Sequence, residues 1–349
     1  MSAALCIVQA GPGVTLQDAG RWGFLRFGVT QAGPMDALAH EFSNRMAGND
    51  AGAAAIEISV GGLDLVVEEE PLECAVVAPG FRVTHEGRPL PDMCLVGLQP
   101  GEKLTFRAGH SGAWAYLAPA GDFLRESELG SLAMHVRTGL GGAGIKAGDR
   151  LAVAPSRTDA QQVRALGSRT GARQTRALGP FRDAGESALR VIAGPQDDYF
   201  DAANFARFLD GPWTIGARSD RMAYVLEGPR LEHCRGFNIV SDGIVFGAIQ
   251  VPGDGRPLVL MADRAPTGGY PKIATVISAD LGRLAQMRPG AVLRFEAVST
   301  QQAVAAWRQA RAKMEAAGVA LAGRAELSSE ELLARNLVGG VVSAYCAPE

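Results

Sequence analysis

The chain lacks what marks a nucleic-acid binder, a disulfide scaffold or a membrane protein. Its 34 Lys and Arg stand against 37 Asp and Glu, a formal charge of −3, so no basic face is indicated for nucleic acid. Its five cysteines, Cys6, Cys74, Cys94, Cys234 and Cys346, are odd in number and widely spaced, with no CxxC pair. That excludes a zinc ribbon and gives no disulfide framework. No apolar run approaches the roughly 18 residues of a membrane span. The N-terminus has no charged region followed by an apolar core. A soluble, cytoplasmic protein is expected, with no membrane and no nucleic-acid partner.

Familiar catalytic signatures are missing too. There is no GxxxxGKS/T loop, no HExxH and no GxSxG elbow. None of the five histidines pairs with another at ligand spacing, so no metal site is expected. Gly139-Leu140-Gly141-Gly142-Ala143-Gly144 fits GxGxxG, but Ile145 to Asp149 does not open a helix, and a bound phosphate needs a helix N-terminus there.

Glycine, by contrast, is abundant, at 44 of 349 residues, while aromatics make up only 6%. Many turns and short strands follow from that, and the length suggests about two domains. From Ile56 to Val153 short apolar runs alternate with Gly, Pro and Asp breaks, the pattern of a barrel or sandwich. Near the start, Gly33-Pro34-Met35-Asp36 opens a helix. Leu38, Phe42 and Met46 share one face, Gly48 is the stop, and Asp36 suits the helix dipole.

Ser241 to Val276 is the most informative stretch. Ile244–Val251 and Leu258–Met261 read as strands joined by the turn Pro252-Gly253-Asp254-Gly255. Thr267-Gly268-Gly269-Tyr270-Pro271-Lys272 then offers close backbone approach beside a cation.

Short signatures recur in order. Ala10-Gly11-Pro12 returns as Ala193-Gly194-Pro195, and Gly61-Gly62-Leu63 loosely as Gly228-Pro229-Arg230-Leu231. Gly87-Arg88-Pro89-Leu90 returns unchanged as Gly255-Arg256-Pro257-Leu258, and PGxxLxF at Pro100 returns at Pro289. Four snippets in one order indicate a duplication, hence two similar β-rich domains. The expected boundaries are a first domain over 1–155, a polar and basic linker over 156–187, a second domain over 188–300 and a helical tail over 301–349. In the tail, Gln302–Ala317 and the capped Ser328–Arg335 read as helices, with Val338–Tyr345 extended.

The segments SDG, GAIQVP, DGRPLVL, AD and TGGYPKIATV between Ser241 and Val276 resemble the biotin-dependent carboxyltransferase family, also called the allophanate hydrolase subunit 2 family. Gln17-Asp18-x-Gly20-Arg21-x-Gly23, Asn44, Gly48, Asn49 and Glu57 match as well, as does Ser219-Asp220-Arg221-Met222. The likeness runs roughly from Leu5 to Val298. The chain departs from the family at Ala223, at Ser131–His135 and at Ile145. The resemblance implies a mainly β chain of two tandem cyclophilin-like barrels with few short helices. It also implies an enzyme subunit. The family includes the C-type subunit of 5-oxoprolinase, urea and amide carboxyltransferases, and an antagonist of a sporulation-kinase inhibitor.

What the residues offer is a set of amide, carboxylate and guanidinium groups suited to a planar amide or ureido substrate. Arg221 can grip a carboxylate or phosphate with its fork. Asp220 and Asp263 can orient it or move protons. Ser219, Gln250, Thr267, Gly268, Gly269, Tyr270 and Lys272 complete a substrate-binding set, with Asp242 beside them and backbone N–H groups available to an oxyanion. Alternatively, Asp220–Arg221 and Asp263–Arg264 are ion pairs at the barrel end.

Three functions stay open on the sequence. The first is the C-type subunit of an ATP-dependent 5-oxoprolinase, opening a lactam with partner subunits that share the ATP. The second is a carboxyltransferase using carboxybiotin carried by another protein. The third is a regulatory module. This chain has no Ala-Met-Lys-Met motif (Ala133-Met134-His135 lacks the lysine), so no covalent biotin is expected on it. The resemblance implies a smaller homologous partner, of the 5-oxoprolinase B-type or kinase-inhibitor kind.

Overall fold

The computed structural model describes residues 2–154, 175–177 and 188–322. Most of the expected linker, and the expected second helix and extended end of the tail, lie outside them. The described chain is mainly β. Its helices are α1 (Ala37–Met46), α2 (Ala202–Asp210), α3 (Ser278–Ala285) and α4 (Thr300–Ala322), with two short 3-10 turns.

The first half holds two sheets. A seven-stranded one runs, edge to edge, through Asp122–Phe123, Arg150–Ala154, Ala3–Ala10, Leu63–Glu68, Lys103–Ala108, Phe81–His85 and Arg88–Leu90. A six-stranded one runs through Thr175–Ala177, Met93–Leu98, Leu72–Val77, Trp114–Pro119, Ala55–Ser59 and Thr15–Gln17. Thr175–Ala177 falls within the stretch expected as linker, and it forms an edge strand against Cys94–Val96. Between the sheets lies one apolar core, with Leu5, Leu65, Phe106, Ile56, Ile58, Val76 and Leu117 among its residues.

The six-stranded sheet is buried on both faces. Side chains alternate across a strand, so Ala115 and Leu117 join that first core while Trp114, Tyr116 and Ala118 join a second. The second core also takes Phe42 of α1 and, from the other half, Trp213, Tyr224, Ile249 and Ile273. This double burial explains the unbroken apolar run of Trp114–Pro119.

In the second half, eight strands run Val292–Leu293, Trp213–Ile215, Ala223–Glu227, Leu258–Leu260, Ala248–Gln250, Lys272–Val276, Leu189–Ala193 and Phe295–Ala297. The two edge strands are separated in the chain by Arg294 alone, so the sheet wraps round until its edges meet, as a barrel does. The hairpin turn closes through the Gly255 N–H to the Pro252 carbonyl at 2.9 Å. Thr267–Gly268 is a short strand paired with Asp242–Gly243 rather than a free loop.

The repeated signatures share the φ of their turn glycines. Gly87 and Gly255 take φ of 75° and 74°, and Gly101 and Gly290 both take 87°. Each pair sits in the left-handed region that glycine enters at least cost. Asp36 caps α1, accepting from the Ala39 N–H at 3.2 Å.

Candidate functional site

Arg221 is the keystone of the seam between the halves. It lies just ahead of the strand Ala223–Glu227 and is buried. Its Nε and Nη2 grip the two oxygens of Asp263 at 3.1 and 2.8 Å. Nη2 also donates to the Gly33 carbonyl at 2.7 Å, and Nη1 donates to Glu57. The Trp114 ring lies 5.8 Å from the guanidinium carbon. The fork that the sequence offers to a substrate is therefore engaged inside the chain, by one carboxylate from each half. Burial alone pulls the Arg221 guanidinium down, but Glu57 and Asp263 outweigh it and hold the group above its ordinary pKa.

Glu57 reaches this place by strand alternation. Ile56 and Ile58 point into the first core, so the residue between them faces the second half. Burial pushes its carboxyl up, against the pull of Arg221 and of donors from Met35 N–H at 2.8 Å and Tyr116 O–H at 2.7 Å. Burial and the neighbouring Glu57 charge hold the Tyr116 phenol well above its usual pKa. Gln286 adds a second stitch. Its Nε2 donates to the Asp36 carboxylate at 3.1 Å and to the Trp114 carbonyl at 3.0 Å, and its Oε1 accepts from Ala113 N–H at 2.9 Å.

Asp220 is not part of this network. It is exposed, accepts from the Met222 and Ala223 N–H groups at 2.8 and 3.2 Å, and pairs with Arg137 at 3.5 Å. Ser219 likewise serves its own turn, its Oγ accepting from Val225 N–H at 3.0 Å. The two adjacent-residue ion pairs suggested by the sequence, Asp220–Arg221 and Asp263–Arg264, give way to Arg137–Asp220 and Arg221–Asp263.

The remaining sequence-derived residues gather in a second cluster. Lys272 Nζ pairs with Asp242 at 2.8 Å, and Gln196 reaches the Lys272 N–H at 3.3 Å and Asp242 at 3.5 Å. Gln250 donates to the Tyr270 carbonyl at 3.3 Å. A Cβ on Gly268 would lie 2.5 Å from Gln250 Nε2 and 2.6 Å from Ile244 Cδ1, so any larger residue there would have to displace the ends of those two side chains. The Gly269 carbonyl accepts from Ile239 N–H at 2.9 Å, and Thr267 is exposed.

Beside Asp263 lies a cavity of about 620 Å³, lined from the first half by Thr30, Glu128, His135 and Arg137 and from the second by Asp263 and Arg264. Asp263 belongs to both places: its side chain holds Arg221, and its carbonyl lies 3.1 Å from His135 Nε2. A carbonyl only accepts, so Nε2 carries the proton and Nδ1 faces the Thr138 hydroxyl at 2.8 Å as acceptor. Thr30 donates to the Arg264 carbonyl at 3.0 Å. Behind the cavity sits Arg21, buried, donating to the carbonyls of Glu128 at 3.1 Å and Ser131 at 3.3 Å.

His135, Thr30, Glu128 and the partner role of Glu57 are not chosen by sequence reasoning. For Glu57 there was a signal, a lone carboxylate inside the apolar run Ala53–Val60. For His135 and Thr30 there was none, since their partners are supplied by the fold. Among the described residues no three His, Cys, Asp or Glu are grouped to hold a metal ion, and no helix is long and apolar enough to cross a membrane.

Residues 27–297, which supply this seam and its cavity, match the family model "Carboxyltransferase domain, subdomain A and B", and the chain belongs to that family. Two relatives carry the name of the C-type subunit of 5-oxoprolinase. The Haemophilus influenzae protein is 34% identical over 292 residues, covering 83% of this chain and 89% of that one. The Escherichia coli protein is 32% identical over 305 residues, covering 86% of this chain and 94% of that one. Among solved structures, the Kluyveromyces lactis urea carboxylase superposes with a TM-score of 0.80 at 23% identity, over 90% of this chain and 29% of that one.

Proposed function

We propose that this chain is the C-type subunit of an ATP-dependent 5-oxoprolinase, which with partner subunits converts 5-oxoproline to glutamate. The observation that carries this is full-length likeness: the two 5-oxoprolinase subunits match over nearly their whole length, whereas the urea carboxylase contains this unit as a fraction of a larger chain. The seam cavity is the substrate site in this reading. A 620 Å³ space is ample for a five-membered lactam. The hydroxyl oxygens of Thr30 and Thr138 keep acceptor capacity for its amide N–H, His135 orients Thr138 and the Asp263 backbone, and Arg221 holds the Asp263 side chain in place as a positioning residue. This chain has no P-loop, so the nucleotide is held by, or shared with, partner subunits. A smaller homologous subunit is the expected partner, in the cytoplasm.

The family's carboxyltransferase name favours a second reading, transfer of a carboxyl group from carboxybiotin carried on another protein to an amide nitrogen. The readings separate on substrate. A complex purified through this chain should release glutamate and phosphate when given 5-oxoproline and ATP. Release of free biotin from carboxybiotin with urea or an amide, without 5-oxoproline turnover, would replace the first reading by the second.

A further inference from the structure

Among the described residues Arg264 has no carboxylate in hydrogen-bond or ion-pair contact. It lines the seam cavity, yet it is only 6% exposed. Its three hydrogen bonds go to neutral oxygens: Nε to the Ile244 carbonyl at 3.3 Å, Nη1 to the Met261 carbonyl at 3.5 Å and Nη2 to Gln31 Oε1 at 3.2 Å. A guanidinium has five N–H groups. Two are left over, one on each terminal nitrogen. The Phe246 ring, 5.8 Å from its central carbon, packs against the group.

The carboxylates nearby are already engaged. Asp263 is gripped by Arg221, and Glu128 accepts from the Gly141 N–H at 2.8 Å. Burial lowers the Arg264 pKa to about 10, and the nearby Asp263 charge offsets only part of that effect. Gln31 links it to a second buried arginine: the Gln31 carbonyl accepts from the Arg21 N–H at 2.8 Å. Arg21 Nη1 has no hydrogen-bond partner among the described residues. Arg264, desolvated at the cavity wall and not hydrogen-bonded to a carboxylate among the described residues, makes this wall a place for an anion, and the buried Arg21, bonded to the carbonyl of the lining residue Glu128, adds positive charge.

We propose that Arg264 forms a carboxylate subsite, taking the α-carboxylate of 5-oxoproline through its two uncommitted N–H groups while the lactam ring occupies the rest of the cavity. The ligand class, a small carboxylate, rests on the 5-oxoprolinase reading. The geometry demands only an anion.

Calorimetric titration of the full-length chain with 5-oxoproline, with its uncharged carboxamide and with inorganic phosphate tests the subsite, in a buffer free of carboxylates. The acid should bind at least about tenfold more tightly than the carboxamide, with phosphate a weak competitor. Arg264→Gln should abolish the preference for the acid. Because Arg264→Gln removes buried hydrogen bonds, the acid–carboxamide comparison on the wild-type chain, with the NMR shift of the Arg264 side-chain Nε, decides the matter if the variant does not fold. Equal affinity for acid and carboxamide, no binding of the acid, a preference retained in folded Arg264→Gln, or stronger binding of phosphate would each overturn the assignment. Turnover plays no part in this test. If the assembled complex proves inactive on 5-oxoproline while the chain still discriminates through Arg264, the enzyme reading falls and the subsite stands.

Discussion

Replacing Arg221 tests whether the seam is held by its guanidinium. Four hydrogen bonds end on this side chain, three of them to carboxylates that are themselves buried. Arg221→Met deletes the cation and leaves Glu57 and Asp263 facing each other without compensation. Removing one partner of a buried ion pair costs about 3–5 kcal/mol. With an unfolding entropy of ~2.1 cal/mol/K per residue over the roughly 300 described residues, that is a fall in Tm of about 5–8 °C. Arg221→Lys keeps the charge but cannot hold both Asp263 oxygens. It should lose about 1.5–3 kcal/mol, or about 2–5 °C on the same conversion. Scanning calorimetry on the full-length chain reads both. A cycle adding Glu57→Gln should show coupling, the double variant being less destabilised than the sum of the singles. An Arg221→Lys protein that melts with the wild type but loses more than about tenfold in turnover would refute the reasoning, because the fork would then be gripping substrate rather than Asp263.

Three further outcomes follow from particular contacts. Burial pushes the Asp280 carboxyl up, but three bonds from Arg190 at 2.7–2.9 Å outweigh it and hold its pKa below the ordinary value. Its contribution is therefore full above the unfolded pKa and is lost as pH falls through the lower folded value. Asp280→Asn should cost about 1.5–3 kcal/mol at neutral pH, with the gap closing in acid; a gap independent of pH in denaturant melts would contradict the assignment. Gly268→Ala should destabilise by about 1–3 kcal/mol through the clash with Gln250 and Ile244. Gly269→Ala, whose Cβ would come no closer than 3.6 Å to any neighbour, should be tolerated, so equal melting of the two would show the packing argument to be wrong. Lys272→Met keeps a buried stem and removes the partner of Asp242; amide exchange at Gly243 and Gly268 should quicken while the rest of the sheet keeps its protection, and unchanged exchange would mean the short ribbon needs no ion pair.

The elements that sequence exposes are those dictated locally. The Pro252–Gly255 turn, the Asp36 cap and the paired glycines of the repeated signatures depend on residues a few positions apart, and they appear where turn chemistry puts them. Residues of the Gln250–Lys272 stretch also come together, because hairpin partners are near in sequence. Arg221 shows the limit. Its motif is visible, but its partners lie 42 and 164 residues away, and the neighbouring Asp220 is occupied by its own turn. The cavity was hidden for the same reason. Thr30, His135 and Arg264 become neighbours only when the halves pack, and no spacing in either half announces that.

What the assembled protein does with 5-oxoproline is the most direct test of the proposed function. The full-length chain should be purified alone and also as a complex captured from cells that express its neighbouring genes. Both preparations should then be assayed for glutamate and phosphate formed from 5-oxoproline and ATP. Stoichiometric formation of both products is expected from the complex, and next to none from the chain alone. A complex that consumes no 5-oxoproline, or a lone chain that turns it over as fast as the complex, would contradict the proposal.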